Sequence, residues 1–96
     1  MLSDKDRKRH EHTVEKGKVT GFVVQYEILL EGGWSPIVRY DTSHAYAHKD
    51  IMNPDGSKEK IFMGLSSLNE ALAMADMDIN QNWERYKERY FRRLKR

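Results

Sequence analysis

The chain contains no cysteine, which excludes disulfides and thiolate metal sites. It has no run of about eighteen apolar residues, which excludes a hydrophobic membrane-spanning helix. Its opening stretch, "MLSDKDRKRHEHTVEKGK", lacks the apolar segment of a secretory signal. With the missing cysteines, that points to the cytoplasm. There is no Gly-x-Ser-x-Gly elbow, P-loop or dinucleotide fingerprint. A helix-turn-helix, a zinc finger and an aromatic RNA-recognition pattern are also missing. No cofactor is implied. What is present is one small domain of 96 residues, 39% hydrophobic and 33% charged, with a mean hydropathy of −0.85.

The formal net charge of +2 hides an asymmetry. Residues 1–18 carry six Lys/Arg against four Asp/Glu, residues 19–84 four against ten, and residues 85–96 seven against one. An acidic body with a basic end suits a nucleic-acid, acidic-protein or self-association surface. Helix-dipole complementarity and solubility account for the same pattern without a partner.

Residues 1–17 are charged and almost free of large apolar groups, so they read as a flexible arm ahead of a single domain at 18–96. Residues 18–33 are rich in Val, Ile, Phe and Tyr and end at Gly32-Gly33, which predicts a strand. Phe22, Val24, Tyr26, Ile28 and Leu30 share its apolar face. Residues 34–41 and 45–52 predict two more strands, the first with an irregular start at Pro36. "NPDG" at 53–56 predicts a type I turn closed by a bulge at Gly56, and residues 58–63 return as the next strand. The expected fold class is therefore α+β: a four-stranded antiparallel meander followed by one long C-terminal helix packed on one face.

That helix is expected over residues 67–93. It opens on Ser67-Leu68-Asn69-Glu70, a capping-box spacing that makes the serine a cap and not a nucleophile. Leu68, Leu72, Ala75, Ile79, Trp83, Tyr86, Tyr90 and Leu94 form its apolar stripe. At ~1.5 Å per residue the helix runs roughly 40 Å, longer than a typical strand of ~17–20 Å. An overhang is therefore expected, unless the long first strand runs beneath it. Its aromatics, Trp83, Tyr86, Tyr90 and Phe91, would then face a second copy of the chain or the N-terminal arm. A homodimer, or a cognate protein partner, follows from that.

"RYDTSHAYAHKD" at 39–50 concentrates the remaining chemistry. A turn at 41–44 sets Tyr40 opposite Ala45 and Arg39 opposite Tyr46. The NPDG turn sets Asp50 opposite Lys60 and His48 opposite Phe62. Val38, Tyr40, Ala47 and Ile51 then face the helix, and Arg39, Tyr46, His48, Asp50 and Lys60 face away. Histidine as base and arginine as phosphate clamp are groups that phosphodiester cleavage uses, so Arg39, Tyr46, His48 and His44 are the catalytic candidates. Solubility and cross-strand pairing call for the same residue types. His44 and His48 are ~13 Å apart along a strand and share no ion. His10 and His12, in the arm, chelate weakly at best, so no metal site is expected.

The helix end "NWERYKERYFRRLKR" interleaves aromatics with arginines. Arg85, Arg89, Arg92, Arg93 and Arg96 lie away from the aromatic stripe and are candidates for contact with an RNA or DNA backbone. "VRYDTSHAYAH", "NPDGSKEK" and the Asn-Trp-Glu-Arg-Tyr segment resemble a group of small uncharacterised prokaryotic proteins over residues 34–93. Residues 39–50 are also similar to TumE-type toxin components of toxin–antitoxin pairs. That resemblance implies an RNA- or nucleotide-directed toxin with a cognate antitoxin, carried by Tyr40, Asp41, His44 and His48. The spacing at 44–48 departs from the pattern. The leading expectation is an interaction module that self-associates through its helix and binds nucleic acid through the basic end. The competing expectation is an RNA-cleaving enzyme on the hairpin.

Overall fold

A computed structural model describes residues 1–43, 46–64 and 67–94. Five strands, β1 (Asp6–Glu15), β2 (Lys18–Leu30), β3 (Gly33–Ser43), β4 (Tyr46–Met52) and β5 (Lys58–Phe62), precede one helix, α1 (Leu68–Leu94). The strands form a single antiparallel sheet in the order β1-β2-β3-β4-β5. The helix covers one face. The α+β class and the long C-terminal helix are as the residue pattern predicts. The strand count is five, not four.

The fifth strand is the segment read as a flexible arm. β1 pairs with β2 from Asp6↔Ile28 to Glu15↔Lys18. The turn between them puts Lys16 at φ 52° and Gly17 at φ 79°. Two consecutive positive φ angles make a two-residue hairpin turn whose twist matches the strands it joins. β1 has almost no apolar side chain because, of its helix-facing positions Asp6, Lys8, His10 and His12, the first three meet polar groups on α1. Lys8 Nζ reaches Asp76 Oδ1 at 2.6 Å and Asn80 Oδ1 at 2.9 Å. Lys87 Nζ reaches Asp6 Oδ2 at 3.1 Å.

The core lies between sheet and helix. Phe22, Val24, Tyr26 and Ile28 of β2, Ile37, Val38 and Tyr40 of β3 and Ala47 of β4 meet Ala71, Ala75 and Ile79 of α1. Alternation on β2 places those four residues inward, as period two requires. A bulge between Tyr26 and Glu27 on the β2–β3 ladder leaves Ile37 without a partner, and Ile37 turns into the core at 1% exposure.

The helix does not overhang. β2, at 13 residues, spans roughly 43 Å at ~3.3 Å per residue, and α1 lies along it. At one end of the pair the Val19 amide donates to Asn69 Oδ1 at 3.0 Å. Farther along, Tyr26 meets Trp83 edge-on at 5.9 Å. Trp83, Tyr86, Tyr90 and Phe91, the residues assigned to an interface, all pack against the core as partly buried groups. The argument from overhang to a dimer therefore loses its premise. Ser67 caps the helix as expected, its Oγ accepting from the Glu70 amide at 3.1 Å.

Candidate functional site

The 39–50 hairpin divides its side chains between the two faces of the sheet. The observed pairing is Arg39↔Asp50, Tyr40↔Lys49, Asp41↔His48 and Ser43↔Tyr46. Both strands continue beyond the expected turn at 41–44, so Tyr40 faces Lys49 instead of Ala45, and Arg39 faces Asp50 instead of Tyr46. The shift is an even number of residues, which leaves the assignment of faces intact. The β4–β5 register has Asp50 on Lys60 and His48 on Phe62, as read from the NPDG turn. His44, one of the catalytic candidates, lies outside the described residues.

On the helix side, Tyr40, Lys49, Asp78, Asn82 and Tyr86 form a polar clasp. Asp78 Oδ2 accepts from the Tyr40 and Tyr86 hydroxyls, each at 2.5 Å. Asn82 Nδ2 donates to Oδ1 at 2.9 Å, and Lys49 Nζ donates to the Tyr86 hydroxyl at 2.5 Å. Burial alone would raise the Asp78 carboxyl, but these bonds and the Lys49 charge outweigh it and hold it below the usual carboxylate range. Burial pushes the Tyr40 and Tyr86 hydroxyls up, and the Asp78 carboxylate pushes them further. A tyrosine held neutral beside a satisfied carboxylate has little to offer a reaction, so the clasp reads as helix–sheet attachment.

Among the described residues no element covers the other face, yet several of its polar side chains are out of water. Glu27 is 4% exposed and Gln25 6%. Arg7 Nε donates to Glu27 Oε1 at 2.5 Å, Arg9 reaches Glu27 Oε2 at 3.4 Å, and Gln25 Nε2 donates to the same oxygen at 2.5 Å. Burial would raise Glu27, but the two arginines and the Gln25 amide hold it below the usual range. Arg39 extends the chain, donating to Asp41 Oδ2 at 2.8 Å and to Gln25 Oε1 at 3.1 Å. Arg7 also lies 4.2 Å over the Trp34 ring. The arginine proposed as a phosphate clamp is thus already committed to two neighbours.

Toward β5 the same face becomes aromatic. The Phe62 ring lies 5.7 Å from Tyr46 and 6.1 Å from His48. Tyr46 is 58% and Phe62 60% exposed. The structure therefore brings together Arg39, Tyr46 and His48, the described catalytic candidates, on one face, and adds Phe62, which register alone places beside His48. Asp50, next along β4, is 3% exposed. Its Oδ2 is 3.6 Å from Lys58 Nζ, and its Oδ1 has no hydrogen-bond partner. Among the described residues no group of three or more His, Asp or Glu is gathered to hold a metal ion.

The basic helix end runs beside this edge. Arg89 pairs with Glu59 of β5 at 3.1 Å. Arg93 lines a hollow with Asn53, Pro54, Asp55 and Ser57 of the β4–β5 turn. Arg85, one turn before Arg89, follows the same flank. Arg92 lies within about 20° of Arg85 around the helix, 3.5 Å from Glu88, at the rim of a groove with Trp83, Lys87 and Phe91. Arg96 lies outside the described residues. At about 100° per residue the four described arginines fall within one arc of about 100° on the helix, and two of them, Arg89 and Arg92, are already paired with carboxylates. No described helix is long and apolar enough to cross a membrane.

The family model titled Domain of unknown function (DUF7718) matches residues 1–96. No curated protein and no solved structure matches the chain. The chain belongs to the DUF7718 family.

Proposed function

We propose that this DUF7718-family chain is a small cytoplasmic binding module that holds single-stranded nucleic acid along its β5 flank. The observation that carries the reading is an aromatic group, exposed Tyr46 and Phe62 with half-buried His48, on an uncovered sheet face whose edge adjoins the basic helix end. Aromatic side chains on an open sheet stack unpaired bases irrespective of sequence. Lys58, Lys60, Arg85 and Arg93 supply cations to the backbone, at an affinity that falls with salt. Arg39 acts from within, fixing the face through Asp41 and Gln25.

Fluorescence anisotropy with a labelled single-stranded RNA, over a salt series, tests this. Arg85→Glu with Arg93→Glu weakens binding and flattens the salt dependence, by about one unit of slope per lost phosphate contact. Phe62→Ala costs about 1–3 kcal/mol. Absence of binding at low salt overturns the reading. Sedimentation of the same samples reports whether the chain self-associates.

A second reading, a TumE-like RNA-cleaving enzyme of prokaryotic type, draws on one feature: Arg39, Tyr46 and His48 share a face, with Asp41 directly opposite His48. It predicts shortened RNA products that His48→Ala abolishes. Intact RNA after prolonged incubation, with and without Mg²⁺, removes it.

A further inference from the structure

At the opposite edge of the sheet, β1 presents two histidines to the helix side. His10 pairs with Val24 and His12 with Phe22, so both point the same way, one strand repeat apart. His10 Nε2 and His12 Nδ1 lie 2.8 Å from each other, with ring centroids 4.9 Å apart and planes tilted by 59°. Behind His10, Asp76 Oδ1 stands 3.6 Å from Nδ1. The same carboxylate oxygen is held by Lys8 Nζ at 2.6 Å, which fixes where it sits. His12 is exposed to solvent and His10 keeps a third of its side chain in water, so an ion can enter.

We propose that His10 and His12 form an open two-histidine site for a divalent transition ion such as zinc, with Asp76 as the positioning residue for His10. Two ring nitrogens at contact distance must share a hydrogen, one donating and one accepting. Asp76 beside Nδ1 attracts the His10 hydrogen to that nitrogen and leaves Nε2 as the acceptor. The bridging hydrogen then belongs to His12 Nδ1. An incoming ion takes its place, and that hydrogen moves to His12 Nε2 on the solvent side. Both imidazoles stay neutral, and each presents a lone pair to the ion. A carboxylate on the far nitrogen of a ligating histidine is the usual way to orient the ring and raise its basicity.

The distances accommodate this. A tetrahedral ion with zinc–nitrogen bonds of ~2.0–2.1 Å needs its two nitrogens about 3.3 Å apart. The pair therefore opens by roughly half an ångström, which the exposed His12 ring supplies by rotation. Water fills the other positions, since no third protein ligand is gathered there among the described residues. Neutral imidazole selects zinc, nickel and copper over magnesium and calcium, which take oxygen ligands. The site is remote from the β5 flank, so it stands or falls independently of the nucleic-acid reading.

Titration of the full chain with zinc, followed by calorimetry and by NMR of the imidazole rings, tests it. The expected result is one ion per chain, with the His10 and His12 signals shifted and His48 unmoved. His12→Ala, at an exposed position that leaves the fold intact by circular dichroism, weakens binding by about tenfold or more. Asp76→Asn weakens it by about 10–100-fold and moves the His10 ring hydrogen in the nitrogen chemical shifts. Asp76→Glu restores part of both. Zinc that shifts neither ring, affinity unchanged in His12→Ala, or magnesium competing equally overturns the proposal.

Discussion

Two carboxylates sit almost wholly out of water on opposite faces of the sheet, Asp6 at 0% and Asp50 at 3% exposure. Asp6 faces the helix and is saturated. It accepts from the Ser3 hydroxyl, from Tyr26 Oη at 2.6 Å and from Lys87 Nζ at 3.1 Å. Asp50 faces away from the helix, with Lys58 at 3.6 Å and one oxygen unpartnered. Equal burial thus conceals unequal satisfaction. The covered face uses its charges to attach β1 and the helix to each other. The uncovered face keeps one buried acceptor without a partner on the residue opposite Arg39.

The largest effect should come from breaking the saturated side. Asp6→Ala leaves Lys87 and the Tyr26 hydroxyl without their acceptor, and loss of one member of a buried charged pair costs about 3–5 kcal/mol. Urea unfolding measures this, with the loss appearing as a lower midpoint at unchanged slope. The same carboxylate sets an acid limit. Burial would raise Asp6, but Ser3, Tyr26 and Lys87 hold it below the usual carboxylate range, and Asp78 is lowered likewise. A depressed folded value means the stabilisation is full above the unfolded value of ~3.9 and is lost as pH falls through the folded one. Melting temperature should therefore drop below about pH 4, and the drop should be shallower in Asp6→Asn. At the alkaline end the signs reverse. Tyr26, Tyr40 and Tyr86 are raised, so their contribution is full below ~10 and lost as pH climbs past it.

A smaller effect tests the clasp. Tyr86→Phe removes one hydroxyl that donates to Asp78 and accepts from Lys49, while the ring stays packed on the core. A hydrogen bond to a charged group is worth about 1.5–3 kcal/mol, and the thermal midpoint should fall accordingly. A loss well under 1 kcal/mol would mean that Asp78 and Lys49, 3.5 Å apart, re-pair directly and the tyrosine is dispensable.

The two faces also differ in how legible they were. The face toward the helix follows from hydrophobic alternation, and β2 shows it plainly: Phe22, Val24, Tyr26 and Ile28 are the even positions of an apolar run. The helix, predicted at 67–93 and found at Leu68–Leu94, follows from its cap and its stripe. β1 did not follow, because its inward positions are Asp6, Lys8, His10 and His12, and the first three meet polar residues of α1 far along the chain. A local signal existed in the Lys16-Gly17 pair, a two-residue turn ahead of an evident strand. The β3–β4 register was misplaced because Asp41, Thr42 and Ser43 suit a turn equally well as isolated residues. In the fold, Thr42 instead closes a contact with β2, its Oγ1 accepting from the Phe22 amide at 3.1 Å. Arg39, Tyr46 and His48 on one face could be read because parity survives an even shift. That Arg39 is already bonded, and that Asp50 is not fully so, depends on side-chain placement across three strands, which spacing does not carry.

The smallest predicted effect is the one that decides whether the contrast between the faces is real. Asp50→Asn keeps the size and shape of the side chain and removes its charge. If Asp50 contributes to the fold as Asp6 does, the change should cost several kcal/mol. With Lys58 at 3.6 Å, itself half-exposed, the pair is weak, and the expected loss is under about 1 kcal/mol. The amide also brings two hydrogen-bond donors in place of one acceptor, and Arg39, opposite in register, would keep Asp41 as its carboxylate neighbour. Any molecule bound through a cation near Asp50 should then bind less well, while a polyanion on the β5 flank should bind slightly better, since one negative charge has gone. Stability near that of the wild type together with altered RNA affinity would assign Asp50 to the working face. A loss of the size expected for Asp6→Ala would instead make both faces structural and move the search for function to the β5 edge alone.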